Sequence, residues 1–281
     1  MAAYAFVTKK HLLPVFSTID EIDEGSVQRL VDTKLDEGLG LTMVKRIVLI
    51  LEMVLRYCAR QGWAVHHGFK PHYPVRKEKY RPDVLTIHEE KKLFRYLEEN
   101  PVPQNLGLLI CICCGLRNGE VCSLKWSDID FDNKLIRVSR TVFRLKEAGD
   151  NANASKLVIG LPKTPDSKRE VPVTGALHDI LEGNKPTTGT GIYVTSGRKK
   201  PADPQSFRNN FKRVLRILGL PAHKVHSLRH TFATRCVESK CDVKTLSSLL
   251  GHSNVSTTLN LYVHPDMEQK RRCVENMMKM L

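Results

Sequence analysis

No apolar run in this 281-residue chain reaches the roughly 18 residues that a membrane-spanning helix needs. The apolar stretch 43–55 is interrupted by Lys45, Arg46 and Glu52 and lies too deep in the chain for a signal peptide. No G-x-x-x-x-G-K-[ST] loop is present, which excludes a P-loop nucleotide hydrolase, and no carboxylates cluster at metal-ligand spacing. The paired C-x-x-C units of a zinc site are missing too. Among Cys58, Cys111, Cys113, Cys114, Cys122, Cys236, Cys241 and Cys273, the sole such unit is Cys111 with Cys114, inside an apolar run. Thiols in apolar helical surroundings suit a reducing cytosol. Neither a metal ion nor another cofactor is expected. Internal repeats and low-complexity segments are absent.

Acid is scarce. Asp and Glu total 30 against 44 Lys and Arg, a formal net charge of +14 with a pI near 9.5. Such an excess points to a polyanionic partner, nucleic acid first. A membrane surface fits less well, because the cations are dispersed through folded-looking sequence. Hydrophobic residues are 41% of the chain, enough for a core.

The patterning predicts a helical domain and a mixed α/β domain joined by a basic linker. Thr18-Ile-Asp-Glu21 has the capping-box form, with helical periodicity to about Leu35, and a longer helix runs from Thr42 to Arg60. Residues 66–83 carry prolines and many cations without periodicity. The boundaries read as a helical domain over 1–68, a linker over 69–83 and a second domain over 84–281. Thr86-Ile-His-Glu89 opens the second domain as another capping box. Helices follow at 103–114 and 118–124. Lys134–Thr141, Lys156–Leu161 and Arg169–Val173 alternate like the strands of one small antiparallel sheet. Helices return at about 174–182, 204–218, 227–238, 242–250, 254–262 and 266–278. The fold class is mainly α with a small antiparallel β-sheet.

Residues 226–235, HSLRHTFATR, crowd two histidines and two arginines together, as though an anion lay between them. Three other stretches accompany it: GLRNGE (115–120), PKTPDSKREVP (162–172) and LGHSNVSTTLNLY (250–262). Breaking a phosphodiester needs an in-line nucleophile, cations for the non-bridging oxygens and a proton for the leaving oxygen. Two guanidinium forks can grip one phosphate bidentately, as lysine cannot. Either arginine alone reads as a surface salt bridge, and a lone H-x-x-R is a weak signal.

The ordered set Arg…Lys…His-x-x-Arg…His…Tyr resembles the catalytic signature of the tyrosine recombinases, the phage-integrase family, over about residues 85–275. It stands nearest the integrases of conjugative transposons and prophages. The resemblance implies Arg117 and Arg229 as the phosphate clamp and Tyr262 as the nucleophile. His226 would take the tyrosine proton directly or through water. His252 would donate to a non-bridging oxygen, and Lys163, on a hairpin, would protonate the leaving 5′ oxygen. Glu120 would orient the catalytic cations. His230 reads as structural, and Arg235 and Lys224 as backbone phosphate contacts or solvated charges.

The same resemblance implies a site-specific recombinase that forms a 3′-phosphotyrosyl link without ATP or metal. Double-stranded DNA core sites are the expected partner, with a homotetramer on two duplexes, in the bacterial cytoplasm and with no membrane attachment. Residues 1–75 resemble, more weakly, the family's core-binding domain. HLLPVF (11–16) would then stand near the end of its first helix, and the expectation is of a longer integrase truncated at its N-terminus, with an arm-binding domain upstream. Val274, Met277, Met278 and Leu281 fall at helical spacing and would dock on a neighbouring protomer or on their own domain. Two alternatives share part of this pattern, a type IB topoisomerase and a DNA-binding protein without catalysis.

Overall fold

The computed structural model describes residues 2–63, 65–75, 82–146, 155–161, 168–173, 175–187, 191–263 and 267–278. The chain divides into two compact units, Met1–Lys79 with Lys146–Ala154, and Tyr80–Leu145 with Ser155–Leu281.

In the first unit, α1 (Ala2–Val7) runs into a π-turn, Thr8–Leu12, which ends ahead of Pro14. Two longer helices follow, α2 (Glu24–Asp36) and α3 (Leu41–Arg60). Val27, Leu30 and Val31 of α2 interlock with Val44, Ile47, Leu51 and Leu55 of α3. The helix expected from Thr18 begins instead after Asp23. Asp23 accepts the Ser26 amide at 2.6 Å and Ser26 Oγ accepts the Asp23 amide at 2.9 Å, a reciprocal cap. Glu21 does reach back, but to the amide of Ser17 across a turn.

The expected linker is strapped to this unit as far as Tyr73. Val65, Phe69 and Tyr73 pack on its core. The carboxylate of Glu52, buried on α3, accepts the amides of Gly68 and Phe69, both at 2.8 Å. Gln28 accepts the His72 amide at 2.8 Å, Glu24 accepts that of Lys70 at 3.2 Å, and Lys45 lies over the Tyr73 ring.

The second unit begins with α4 (Ile87–Glu99), capped by Thr86 and Glu89 as its sequence predicts. Next come α5 (Pro103–Cys114), α6 (Asn118–Cys122) and a 3₁₀ turn, Trp126–Asp128. Among the described residues five short strands follow: β1 (Ile129–Asp130), β2 (Leu135–Val138), β3 (Thr141–Lys146), β4 (Ser155–Gly160) and β5 (Arg169–Pro172). The remaining helices are α7 (Ala176–Gly183), α8 (Pro204–Ile217), α9 (Val225–Glu238), α10 (Val243–Leu250), α11 (Val255–Tyr262) and α12 (Met267–Met278). Apolar on all sides, α5 is the central post, packed by α4, α7, α8 and α9.

Among the described residues, the single sheet expected from the alternation is two. β1, β2 and β5 form one, antiparallel with Ile136 opposite Val171, while β3 pairs with β4 in another. The expected strand 134–141 breaks at Ser139 and Arg140. There the Arg140 carbonyl is taken by Ser123 Oγ at 2.9 Å, and the Arg140 guanidinium pairs with Asp128.

Cys58, Cys111, Cys114 and Cys122 are buried. Desolvation, then the charge of Glu90, pushes the Cys113 thiol up to about 12. Among the described residues no group of three or more His, Cys, Asp or Glu is placed to hold a metal ion. No described helix is long and apolar enough to cross a membrane.

Candidate active site

Two helices of the second unit end on left-handed glycines, and both ends face the same place. α5 stops at Gly115, with φ of 65°, and α10 stops at Gly251, with φ of 63°. A helix C-terminus presents carbonyls with no partner in the helix, at the negative end of its dipole. Three successive carbonyls of the α10 end each accept from a different arginine. Leu249 O takes Arg169 Nε at 2.7 Å, Leu250 O takes Arg229 Nη2 at 2.6 Å and Gly251 O takes Arg117 Nη2 at 2.9 Å. Gly115 O takes the other arm of Arg229 at 2.8 Å. These carbonyls therefore hold the cations together.

Glu120 supplies the countercharge. Its carboxylate, 4% exposed, meets Arg117 Nη1 at 2.7 Å and Arg169 Nη2 at 2.9 Å. Burial works to raise its pKa, but the hydrogen bonds and charge of Arg169, with the charge of Arg117, outweigh that and hold the carboxyl below its ordinary value. Arg229 is 1% exposed. Burial first, then the charge of Arg117, pushes its guanidinium down from the usual range. The Arg117 side chain keeps 35% of its surface, so it is the guanidinium of this pair that an incoming phosphate meets first.

The histidines divide between an open and a buried layer. His226, in the first turn of α9, is exposed. His252 is half-buried, its Nδ1 at 2.8 Å from Thr258 Oγ1. Lost hydration first, then neighbouring positive charge, pushes both rings down to about 4. For His226 the charges are His230, Arg229 and Arg117; for His252 they are led by Arg229 and Arg117. Both imidazoles are neutral at pH 7 and can each offer one N–H to an anion. Beneath them, His230 Nδ1 lies 2.5 Å from the Tyr262 hydroxyl. His230 is 6% exposed and Tyr262, the last residue of α11, is 9% exposed.

Of the residues expected from sequence, Arg117, Glu120, His226, Arg229, His252 and Tyr262 gather around the ends of α5 and α10. Lys163 lies outside the described residues. Two residues of this cluster were not expected there. Arg169 opens the expected strand 169–173 and looked like a strand cation, yet its side chain is 5% exposed and joins Glu120 to α10. The nearby sequence KTPDSKR offered three cations, and nothing in its spacing marked Arg169 as the buried one. His230 read as structural, and it touches Tyr262. Arg235 is neither a solvated charge nor an open phosphate contact. It bridges Glu90 at 2.6 Å, Glu238 at 2.8 Å and the Leu85 carbonyl at 2.8 Å, tying α9 to the start of α4.

Comparison with known proteins bears on the family and the fold. The phage integrase family matches residues 83–269. A tyrosine recombinase XerC-like protein of Caldanaerobacter subterraneus subsp. tengcongensis is 29% identical over 273 residues, covering 89% of this chain and 69% of that protein. The transposase from transposon Tn916 of Enterococcus faecalis is 29% identical over 199 residues, 64% of this chain and 47% of the transposase. This chain thus spans about half the length of that relative. Among solved structures, the Tn1549 transposon integrase in complex with a circular intermediate DNA superposes with a TM-score of 0.77 at 21% identity, covering 98% of this chain and 92% of that one. A lambda integrase dimer bound to a core site superposes with a TM-score of 0.61 at 20% identity, covering 92% of this chain and 70% of that one.

Proposed function

The chain belongs to the phage integrase family, and from that membership we propose that it is a site-specific DNA recombinase that cuts and rejoins DNA through a 3′-phosphotyrosyl link to Tyr262. The tyrosine oxygen attacks the scissile phosphorus and the 5′ oxygen leaves. That 5′ hydroxyl then attacks the corresponding link in a partner duplex and frees the tyrosine. Each step exchanges one phosphate ester for another, so bond energy is kept and no nucleotide hydrolysis is needed.

Arg117 and Arg229 neutralise the charge that grows on the non-bridging oxygens, and neutral His226 and His252 donate to them. Glu120 and Arg169 hold Arg117 in place. Lys163 is assigned the proton for the leaving oxygen on the resemblance alone. The observation that carries the reading is the convergence of Arg117, Arg169 and Arg229 on three consecutive carbonyls. With them the site holds its cations in place close to a tyrosine hydroxyl.

Double-stranded DNA is the proposed partner, on the net charge of +14 and on the DNA carried by the Tn1549 and lambda relatives. A homotetramer on two duplexes is the assembly this chemistry calls for. Val274, Met277 and Met278 of α12 are 58%, 49% and 58% exposed, which supports a docking role between protomers, and Leu281 lies outside the described residues.

The test is to trap the covalent adduct on a nicked duplex from the ends of the DNA element that encodes the chain. An adduct on Tyr262 in the wild type and none with Tyr262→Phe is the expected result. An adduct that survives Tyr262→Phe overturns the assignment. Strand exchange between two duplexes distinguishes recombination from simple relaxation of supercoils.

A further inference from the structure

We propose that His230 is the group that takes the proton from the Tyr262 hydroxyl as that oxygen attacks phosphorus. This rests on the reading of Tyr262 as the nucleophile. A phenol with a pKa of about 10 is a weak nucleophile near neutrality, so its proton needs an acceptor. A general base must stand within hydrogen-bond reach of that proton. His230 Nδ1 does so at 2.5 Å, in a buried contact. His226, the base expected from sequence, lies one helical turn earlier, its ring edge-on to His230 with 4.5 Å between centroids. It is exposed and faces the charges of Arg117 and Arg229. The two histidines thus take different partners: His226 the phosphate, His230 the nucleophile.

The step balances. The Tyr262 O–H bond breaks and its proton passes to His230 Nδ1. The tyrosine oxygen bonds to phosphorus, the bond from phosphorus to the 5′ oxygen breaks, and that oxygen takes a proton from the site's acid. On rejoining, the 5′ hydroxyl attacks and gives its proton back to that acid, the tyrosine oxygen leaves and His230 returns its proton to it. Arg229 interacts electrostatically with Tyr262 and so favours the phenolate as it forms.

To accept, the ring must start neutral. The ionisable groups that face it are His226 and Arg229 on its own helix, Asp83 ahead of α4 and Tyr262 on α11. Burial, then Arg229, lowers its pKa from the ordinary value, against a smaller opposite pull from Asp83. The wild-type rate should therefore level off at a pH below the usual imidazole range.

The experiment is single-turnover cleavage of the same nicked duplex as a function of pH, with wild type, His230→Gln, His230→Ala and His226→Gln. His230→Gln is expected to cleave about 10²-fold or more slowly, the usual worth of a general base. Its rate should keep climbing toward the pKa of the phenol itself, about 10. Added imidazole should restore part of the rate in His230→Ala. His226→Gln should slow cleavage yet keep the wild-type pH limb. Cleavage by His230→Gln at the wild-type rate with the wild-type limb overturns the proposal. Should both His230 variants fail to fold, nitrogen NMR of the histidine rings decides on the intact protein. The His230 Nδ1 signal must shift between wild type and Tyr262→Phe, and an unchanged signal overturns it. An adduct that persists in Tyr262→Phe is a different failure, that of the nucleophile assignment.

Discussion

At the scale of single residues, Glu120 decides whether the arginines can share one site. Removing its charge leaves Arg117 and Arg169 facing each other across a buried neutral amide. Breaking one partner of a buried ion pair costs about 3–5 kcal/mol. Glu120→Gln should therefore lower the stability of the second unit by about that much, read by urea unfolding, and slow adduct formation with it. The depressed imidazoles give a pH dependence of definite sign. An unfolded chain binds their protons from about pH 6.5 downward, whereas the folded chain binds them only near 4. Their effect on stability is nil above that window, and stability falls as pH drops through it. His252→Asn should flatten the loss of urea midpoint between neutrality and about pH 5. Bound DNA should flatten it too, since a phosphate beside the rings favours their charged form. Most of these residues were legible as residue types at a spacing. Arg169 and His230 were not, because their significance lies in partners 49 and 32 positions away.

At the scale of elements, the ends of helices matter more than their middles. Gly115 holds a left-handed conformation, and a Cβ there would fall 2.4 Å from the Phe232 ring. Gly191 has φ of 80° with nothing near a Cβ. Gly191→Ala should cost the left-handed strain alone, about 1–2 kcal/mol. Gly115→Ala should add about 1–3 kcal/mol of overpacking and shift the carbonyl that holds Arg229, so its melting temperature should drop further than that of Gly191→Ala. In the first unit, Glu52 takes two linker amides at once. Glu52→Ala should raise hydrogen exchange at residues 68–73 while leaving exchange in α5 unchanged, a mass-spectrometric measurement. The capping signal at Thr86 was readable because a cap is a local bond. Thr18 misled for the same reason: Asp23, five residues on, offered a better local cap. The split of the sheet was hidden, since it depends on Ser123 claiming the Arg140 carbonyl from 17 residues away.

At the scale of the whole molecule, charge governs partner and conditions. With a net charge of +14 and phosphate as the proposed ligand, binding should follow counterion release. The logarithm of affinity should fall linearly with that of salt, by about 0.9 for each phosphate neutralised. Fluorescence anisotropy of a labelled core duplex measures this slope, and Arg117→Ala should reduce it by about one contact. A salt-independent affinity would contradict the polyanion reading.

The amino-acid order by itself determined the family, the helical character, the basic balance and the residue types on which the proposed chemistry rests, because each is written in local periodicity, composition or ordered spacing. Only the folded chain decided how the cations coexist. The crowding in HSLRH suggested an anion as the glue, yet the carbonyls of Gly115, Leu249, Leu250 and Gly251, with Glu120, already hold the arginines. Backbone carbonyls carry no letter in a sequence. Where a helix ends, and what its last oxygens face, is settled by packing.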